Sequence, residues 1–308
     1  MTPLHDVTPY WPLRGLDPDG RETFVKMEAY QPTGSFKIRG VGRLCQQLKA
    51  QGARAFVSSS GGNAGYAAAY AGAALDVPVT VVVPSTTPAV MRERIESLGA
   101  EVIVEGAVWD EADALARAIV ARGEAAYVPP FDHPLLWEGH ASLVDEMLAQ
   151  GPAPDAVVVA VGGGGLLCGV AQGLARHGLD AVPILAVETQ GAASFARAVE
   201  AGRPVTLERI DTVASSLGAR RVADEAFAWS QRRPIAPVVV SDAAAVRACM
   251  RFLEGHLALV EPACGAALSL AYDSHEALSP YARVAVIGCG GIVVSLDKLA
   301  AWRAQFGV

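Results

Sequence analysis

A single lysine, Lys37, follows a Gly-Ser-Phe turn in the stretch QPTGSFKIRG, residues 31–40. Its neighbours are small or apolar, and burial of an ammonium group among such residues lowers the pKa of a lysine. A lysine with a lowered pKa is a nucleophile and a base, because more of it is unprotonated near neutral pH. The alternative is a solvated lysine at the start of a helix, which this stretch alone does not exclude.

Three glycine-rich stretches lie where a strand is predicted to end and a helix to begin: SSSGGNAG (58–65), VGGGGLLCG (161–169) and GCGGI (288–292). The four glycines at 162–165 expose successive backbone N–H groups at a helix N-terminus, which favours phosphate binding. No lysine follows them as in a P-loop, and the spacing GxGxxG fails, so we expect a small phosphorylated group and not a dinucleotide. A tight turn without a ligand is the alternative.

The stretch SSSGGNAG offers hydroxyls, backbone donors and the amide of Asn63 before a helix of small residues. Such a loop can close on a carboxylate without burying a fixed charge. Alternatively, Ser60 or Asn63 is the capping side chain of that helix. Both interpretations can hold together.

Composition excludes several other classes of function. The net charge of −7 without a basic stripe argues against a nucleic-acid surface. The charge-free run 156–171 contains four consecutive glycines and is a poor membrane span. Five cysteines without a CxxC pair, and an N-terminus without a secretory pattern, predict a cytoplasmic protein with reduced thiols.

The histidines and serines show no other catalytic pattern. The six histidines lack the spacing of a metal site, and no serine lies in GxSxG. His133 and His140 are close in sequence, and we interpret both as loop or capping residues.

Strand and helix patterns alternate along the chain, which predicts an α/β protein with parallel sheets covered by helices. Val-rich strands with little alternation fit burial on both faces. The proline cluster of Pro129, Pro130 and Pro134 marks the predicted crossing between two α/β domains. The predicted strands are TFVKM, AFVSS, PVTVVVP, EVIVEG, AVVVAV, PILAVE, PVVVS and RVAVIG. Helices are predicted over 35–50, 63–75, 88–98, 109–122, 138–149, 165–177, 242–254 and 263–273, with a last helix ending near 306.

Together these motifs resemble the fold-type II enzymes that use pyridoxal 5'-phosphate (PLP), whose fold is tryptophan synthase β-subunit-like. More narrowly, the chain resembles the short L-serine/L-threonine dehydratases. The resemblance implies a large PLP-binding domain of residues 1–37 and 134–308, and a small domain of 38–133 that contributes the substrate-carboxylate loop. Each domain would be an open, mostly parallel sheet flanked by helices. The stretches that carry the resemblance are QPTGSFKIRG, SSSGGNAG, PPFDHPLLWEGHAS, VGGGGLLCGV, ETQGAASF, SSLGA, EPACGAAL and GCGG.

The resemblance implies that Lys37 forms the Schiff base with PLP and later removes the substrate's Cα proton. Phe36 would pack on the cofactor ring, and Asn63 would bond the ring's phenolic oxygen. Cys289 would hold a thiol against the pyridine nitrogen, where other PLP folds use an aspartate; a buried structural cysteine is the alternative. The cofactor phosphate would be held by Gly162, Gly163, Gly164 and Gly165.

The substrate carboxylate would be received by Ser60, Gly61 and Asn63, and Ser60 is assigned with Lys37 to the catalytic residues. Gly61 stands where a common version of the motif has alanine, which would loosen this loop. GCGGIVVS also lacks the Ser-Asn that follows these glycines in close relatives.

The resemblance also implies a monovalent cation, K⁺, beside Glu188. Its further ligands would be backbone oxygens near Gly162, Ala192, Leu217 and Ala219. A carboxylate and carbonyls are suitable hard ligands for such an ion. A capping or salt-bridging Glu188 is the alternative.

The predicted function is that of a carbon-nitrogen lyase of amino-acid catabolism. It would convert L-serine to pyruvate and ammonia, and L-threonine to 2-oxobutyrate and ammonia, as a cytoplasmic homodimer without nucleic-acid or membrane partners. The alternatives are another fold-type II PLP enzyme, namely a serine racemase or a β-replacing synthase, or a weakly active PLP or amino-acid binding homologue.

Overall fold

The computed structural model describes residues 2–16, 20–123 and 125–308. Within these ranges the strands form two sheets, one of six strands and one of four. The six-stranded sheet contains β1 (Tyr10–Pro12), β2 (Glu22–Lys26), β7 (Ala156–Ala160), β8 (Ile184–Thr189), β9 (Ile235–Val240) and β10 (Arg283–Ile287). The four-stranded sheet contains β3 (Ala55–Ser58), β4 (Val79–Val83), β5 (Glu101–Val104) and β6 (Ala125–Tyr127).

Helices connect nearly all of these strands and cover the sheets. Among the described residues, no helix combines the length and apolar character needed to cross a membrane. The helices are α1 (Lys37–Ala50), α2 (Asn63–Leu75), α3 (Ala89–Glu96), α4 (Trp109–Val120), α5 (Pro134–Gln150), α6 (Gly165–Arg176), α7 (Ser194–Ala201), α8 (Asp224–Arg232), α9 (Asp242–His256), α10 (Pro262–Tyr272) and α11 (Leu296–Phe306). Short 3₁₀ turns lie at Glu28–Tyr30, Gln190–Ala192, Ser215–Leu217 and Glu276–Leu278.

The larger sheet has the order β1-β2-β10-β7-β8-β9, and every neighbouring pair is parallel except β1 with β2. All residues of β7 and β8 are buried. The apolar runs AVVVA in β7 and ILAV in β8 follow from this, because helices cover both faces of the sheet and neither face meets water. Helix α10, whose residues are all buried, packs on β7, β8 and β10.

The smaller sheet has the order β5-β4-β3-β6 and is parallel throughout. The two parallel-sheet units flanked by helices confirm the predicted α/β fold class. The proposed domain limits at 37/38 and 133/134 stay a prediction. Helix α1 begins at the first of these limits and packs both on α2 and on α5, so it contacts both units.

Every predicted strand and helix is present, with small differences at the ends. Helix α5 begins at Pro134 and not near Glu138, because His133 caps it and a proline occupies its first turn. Four elements were not predicted: β1, β6, α7 and α8. Both strands are only three residues long, and α8 buries only Ala226, so their hydrophobic patterns are weak.

A buried ionic cluster fixes the start of α1. Arg39 donates to Glu28 at 2.6 Å and to Glu146 at 2.7 Å, and Lys26 donates to Glu146 at 2.6 Å. Arg39, Lys26 and Glu28 are fully buried. Buried charges of this kind are strongly destabilising when one partner is removed, so the cluster holds α1 in one orientation two residues beyond Lys37.

Candidate active site

The Gly-Ser-Phe turn before Lys37 lies against the loop that follows β10. The Phe36 N–H donates to the Cys289 carbonyl at 3.2 Å, and the Gly291 N–H donates to the Gly34 carbonyl at 2.8 Å. Gly34 has a φ of +67°, and an added Cβ would lie 2.5 Å from a methyl of Ile292. These contacts hold Lys37, the first residue of α1, beside the carboxyl end of the larger sheet.

The amine of Lys37 lies in a largely apolar setting. Its Nζ donates to the Pro130 carbonyl and lies 5.2 Å from the centre of the Phe36 ring. Burial lowers the pKa of Lys37 to about 8, although the negative charge of Glu261 acts in the opposite direction. Lys37 is therefore a desolvated amine that is partly unprotonated near neutral pH. This favours the interpretation of Lys37 as a nucleophile over its interpretation as a solvated helix lysine.

The four-glycine turn forms a cradle whose walls leave no room for side chains. A Cβ on Gly163 would lie 2.2 Å from the Phe131 ring, and one on Gly165 would lie 2.7 Å from the Phe131 carbonyl oxygen. Gly164 has a φ of +91° and caps α6. The N–H groups of Gly163, Gly164 and Gly165 donate to no atom of the described residues. Free donors at the positive end of α6 fit an anionic group such as a phosphate.

The serine-rich loop links β3, which ends at Ser58, to α2, which begins at Asn63. Gly62 is the N-cap of α2 and no side chain caps it, so the interpretation of Ser60 or Asn63 as a helix cap is wrong. The half-buried Ser60 accepts a hydrogen bond from the Gly62 N–H at 3.4 Å. A Cβ on Gly61 would lie 2.6 Å from the Thr87 side chain.

Asn63 joins this loop to the larger unit. Its Nδ2 donates to Glu261 Oε1 at 2.9 Å, and its Oδ1 accepts from the Ile292 N–H at 3.0 Å. A longer contact of 3.4 Å reaches the Ser216 hydroxyl. Both ends of the Asn63 amide are therefore oriented by the protein, and its assignment to the cofactor's phenolic oxygen stays a prediction.

Glu261 was not among the predicted site residues, although it is the first residue of EPACGAAL. It is 2% exposed, and its Oε2 has no hydrogen-bond partner within the part of the chain that the structure describes. Burial raises the pKa of Glu261 to about 7, against the effects of Ser216, Asn63 and the Lys37 charge. The available signal was a glutamate directly before a helix-starting proline, a position where Ser, Thr, Asp and Asn are preferred and where Glu261 caps nothing.

Cys289 lies on the same side of the site as Lys37 and Glu261. Its thiol is 5% exposed and is hydrogen-bonded to that of Cys264. This hydrogen bond and burial together raise the pKa of Cys289 well above its usual value. The group is therefore a neutral thiol, a weak donor and acceptor that fits a pyridine nitrogen without a full positive charge.

Glu188 is the only predicted cation ligand with a charge, and it contacts a helix N-terminus. Its two carboxylate oxygens accept from the N–H groups of Phe195 and Ala196, each at 2.8 Å. Burial raises the pKa of Glu188 to about 7. No group of three or more His, Cys, Asp or Glu residues suited to a metal ion occurs among the described residues.

Two of the residues whose backbone oxygens are predicted to bind the cation lie in separate short turns. Ala192 belongs to the turn at Gln190–Ala192 and Leu217 to the turn at Ser215–Leu217. A Cβ on Gly162 would lie 3.0 Å from the Leu217 Cα, so Leu217 borders the four-glycine cradle. The potassium site stays a prediction.

The two histidines of the predicted loop have different positions. His133 caps α5, with its Nδ1 accepting from the Leu135 N–H at 3.1 Å. The interpretation of His140 as a loop or capping residue is wrong, because it lies inside α5 and is fully buried. Its ring lies 4.8 Å from that of Phe36 in an edge-to-face arrangement, so His140 supports Phe36 from behind.

The fold, the cradle and the desolvated lysine are those of an enzyme that binds PLP. A model of the pyridoxal-phosphate dependent enzyme family matches residues 1–290, and the chain belongs to this family. It is 48% identical to a Mus musculus protein named serine dehydratase-like, covering 99% of this chain and 96% of that protein. It is 46% identical to the Homo sapiens L-serine dehydratase/L-threonine deaminase, covering 99% and 97%.

A solved structure agrees with these sequence relatives. The fungal L-serine ammonia-lyase from Rhizomucor miehei superposes with a TM-score of 0.91 at 36% identity, covering 98% of this chain and 99% of that one. These similarities confirm the resemblance inferred from the sequence motifs, together with the predicted cofactor.

Proposed function

We propose that the chain is a PLP-dependent ammonia-lyase that converts L-serine to pyruvate and ammonia, and L-threonine to 2-oxobutyrate and ammonia. The observation that carries the proposal is the pairing of a desolvated Lys37 amine with an unobstructed four-glycine cradle. The names of its relatives, which include serine dehydratase and threonine deaminase, support the substrate class.

The geometry of the site supports the residues that the resemblance assigns to the cofactor. Backbone N–H groups of Gly163, Gly164 and Gly165 would bind its phosphate, and the Phe36 ring would pack on its ring. The neutral thiol of Cys289 would meet the pyridine nitrogen. When bound, PLP withdraws electrons from the substrate's Cα and makes the Cα–H bond acidic.

Lys37 would act as the general base. With a pKa of about 8, a substantial fraction of its Nζ is unprotonated near neutral pH and accepts the Cα proton of the amino acid. The Pro130 carbonyl that now accepts from Nζ would hold the resulting ammonium in place. The Cα proton and the β-hydroxyl leave as water, and one water then replaces the amino group, so the net products are the 2-oxo acid and ammonia.

The loop of Ser60, Gly61 and Asn63 would bind the substrate's carboxylate. Ser60 offers a hydroxyl, and the backbone of this loop approaches the N-terminus of α2, where N–H groups favour an anion. Gly61 carries no side chain and so offers no acid or base of its own to the opposite face of a substrate. This favours elimination over racemisation.

A product assay tests the proposal. The holoenzyme is incubated with L-serine or L-threonine, and pyruvate, 2-oxobutyrate, D-serine and thiol adducts are quantified. We expect the oxo acid and ammonia in equal amounts. D-serine or a thiol adduct as the main product would contradict the proposal, and so would PLP binding without oxo-acid release.

We also propose that the enzyme is a cytoplasmic homodimer and that K⁺ binds beside Glu188. The resemblance supports the dimer and the ion, and five cysteines that are all free support a reducing compartment. Light scattering of the purified holoenzyme tests the dimer, and a monomer at micromolar concentration would contradict it.

A further inference from the structure

The run of three serines before the carboxylate loop presents three hydroxyls in different settings. Ser58 is 1% exposed, and its hydroxyl has no partner among the described residues. Ser59 is fully buried. Ser60 is half-buried and is the serine that belongs to the loop proposed to bind the substrate's carboxylate. Nothing in the sequence distinguishes the three serines, so the different setting of each hydroxyl is a consequence of the fold.

The Ser59 hydroxyl points into the smaller unit and binds two residues from other elements. It donates to Asp113 Oδ1 at 2.7 Å and lies 2.8 Å from the Tyr127 hydroxyl oxygen. Tyr127 also donates to Asp113 Oδ1. Asp113 belongs to α4 and Tyr127 to β6, so three elements meet at one hydroxyl.

Arg117 completes this group from the solvent side. Its Nε donates to Asp113 Oδ2 at 2.8 Å, and its guanidinium lies 4.5 Å from the centre of the Tyr127 ring. Burial alone would raise the pKa of Asp113, but the hydrogen bonds from Tyr127, Arg117 and Ser59 lower it below its ordinary value. Asp113 is therefore a carboxylate with both oxygens engaged, and its bond to Ser59 is charge-assisted.

This arrangement fixes the direction of the Ser59 hydroxyl. A hydroxyl has one proton, and that proton is given to Asp113, so Ser59 has none to donate to a ligand. Burial and the Asp113 charge raise the pKa of Tyr127, which keeps the phenol protonated as a donor. The backbone at Ser59 is thereby anchored one residue before Ser60.

We propose that Asp113 and Tyr127 are positioning residues for the substrate-carboxylate loop, acting through Ser59. By holding the Ser59 hydroxyl inside the smaller unit, they direct Ser60 and the following N–H groups toward the proposed position of the substrate's carboxylate. The inference rests on the proposed function, in which this loop receives the substrate's carboxylate. The group touches neither the four-glycine cradle nor Lys37 in any described contact, so its role concerns the substrate and not the cofactor.

Steady-state kinetics of three variants test the inference. We expect Tyr127→Phe, Ser59→Ala and Asp113→Asn each to raise KM for L-serine, with about a tenfold increase for Asp113→Asn, equivalent to about 1.4 kcal/mol. The turnover number kcat and the affinity of the apo-protein for PLP should stay near wild type, because Lys37 and the cradle are unaltered. The double variant Ser59→Ala with Tyr127→Phe should be non-additive, since both changes break one network.

Asp110→Asn is the matched control, because it is the same substitution on the same helix at an exposed position. It should leave KM unchanged. If the three network variants lower the melting temperature but leave KM at the wild-type value, their role is structural only and the inference is wrong. Tyr127→Phe removes a single oxygen, so it gives this answer even where Asp113→Asn does not fold.

A binding measurement separates this inference from the proposed function. The change in visible absorbance when an amino acid binds the holoenzyme gives a dissociation constant that requires no turnover. If the wild type binds L-serine but releases no oxo acid, the proposed function fails while the variants still report on the loop. Equal dissociation constants for wild type and all three network variants would overturn the inference alone.

Discussion

The two strand-to-helix turns of the site are built in opposite ways. The turn at 162–165 depends on missing side chains, since Phe131 fills the space that side chains at two of its positions would need. The loop at 59–63 depends on side chains that are present, because Ser59 is held by Asp113 and Asn63 is held by Glu261. The donors of the first turn are backbone groups of consecutive residues, whereas the second turn is fixed by side-chain hydrogen bonds to distant parts of the chain.

This difference separates two tasks. A phosphate needs several N–H groups at fixed positions, and a short backbone cradle supplies them from consecutive residues. A substrate carboxylate has to be bound and released in every turnover, and the loop that is proposed to bind it is joined to the larger unit by hydrogen bonds of Asn63. We therefore expect changes in the first turn to affect the cofactor and changes in the second to affect the substrate.

The largest effect is expected for Gly163→Ala. Its Cβ would lie 2.2 to 2.4 Å from ring atoms of Phe131, which is itself fixed by neighbouring contacts. We expect apo-protein affinity for PLP to fall about 100-fold, equivalent to about 2.7 kcal/mol of overpacking. Fluorescence titration with PLP measures this, and an unchanged dissociation constant would show that the cradle does not hold the phosphate.

Gly62→Ala is the corresponding change in the second turn. An added Cβ would meet only a methyl of Val293 at 3.7 Å, an ordinary contact, so stability and PLP affinity should stay near wild type. The methyl group would instead enter the cleft where the carboxylate is proposed to bind. We expect KM for L-serine to rise about tenfold. Loss of PLP affinity in Gly62→Ala, with KM for L-serine unchanged, would contradict the expectation that changes in the second turn affect the substrate and not the cofactor.

Sequence patterns predicted the first turn well and the second only in part. Four consecutive glycines are visible without knowledge of any partner, and so is a lysine among small residues. The partners of the second turn are not visible in this way. Ser59 and Asp113 are 54 positions apart, and Asn63 and Glu261 are 198 apart, so only folding brings them together.

The same reasoning explains the errors in the predicted elements. Long Val-rich strands are specified by local periodicity, and those were found, whereas the short helices α7 and α8 were missed. Strands β1 and β6 have three residues each, which is too short for a period to emerge. His140 was misplaced because α5 begins at Pro134, and the preceding His133 is not a usual N-cap residue.

Glu261→Gln tests the electrostatic interaction between Glu261, which accepts from Asn63 of the second turn, and the amine of Lys37. The carboxylate of Glu261 raises the pKa of Lys37 and so opposes the effect of burial. Removing that charge, while keeping an oxygen for Asn63, should lower the pKa of Lys37 below the wild-type value of about 8. The pH dependence of Lys37 acylation in the apo-protein, followed by mass spectrometry, measures this shift.

The matched control for this titration is Glu254→Gln, which removes a carboxylate from the exposed face of α9. It should leave the pKa of Lys37 unchanged. An unchanged pKa of Lys37 in Glu261→Gln would mean that the Glu261 carboxyl is neutral in the wild type and that the two groups are not coupled as described.

The smallest effect is expected from potassium. If the ion binds the native state beside Glu188, potassium should raise the melting temperature of the holoenzyme by about 2 °C relative to a bulky organic cation at equal ionic strength. Glu188→Gln should lose this increment. An identical melting temperature in both salts would mean that the only role of the Glu188 carboxylate is to accept from the N–H groups at the start of α7.

The central claim is that Lys37 is the residue that binds the cofactor and takes the substrate's proton. Reduction of the holoenzyme with borohydride, followed by peptide mapping, tests it most directly. We expect one pyridoxyl group on Lys37, and none on Lys26, Lys49 or Lys298. A pyridoxyl group on another lysine, or no covalent adduct at all, would contradict it.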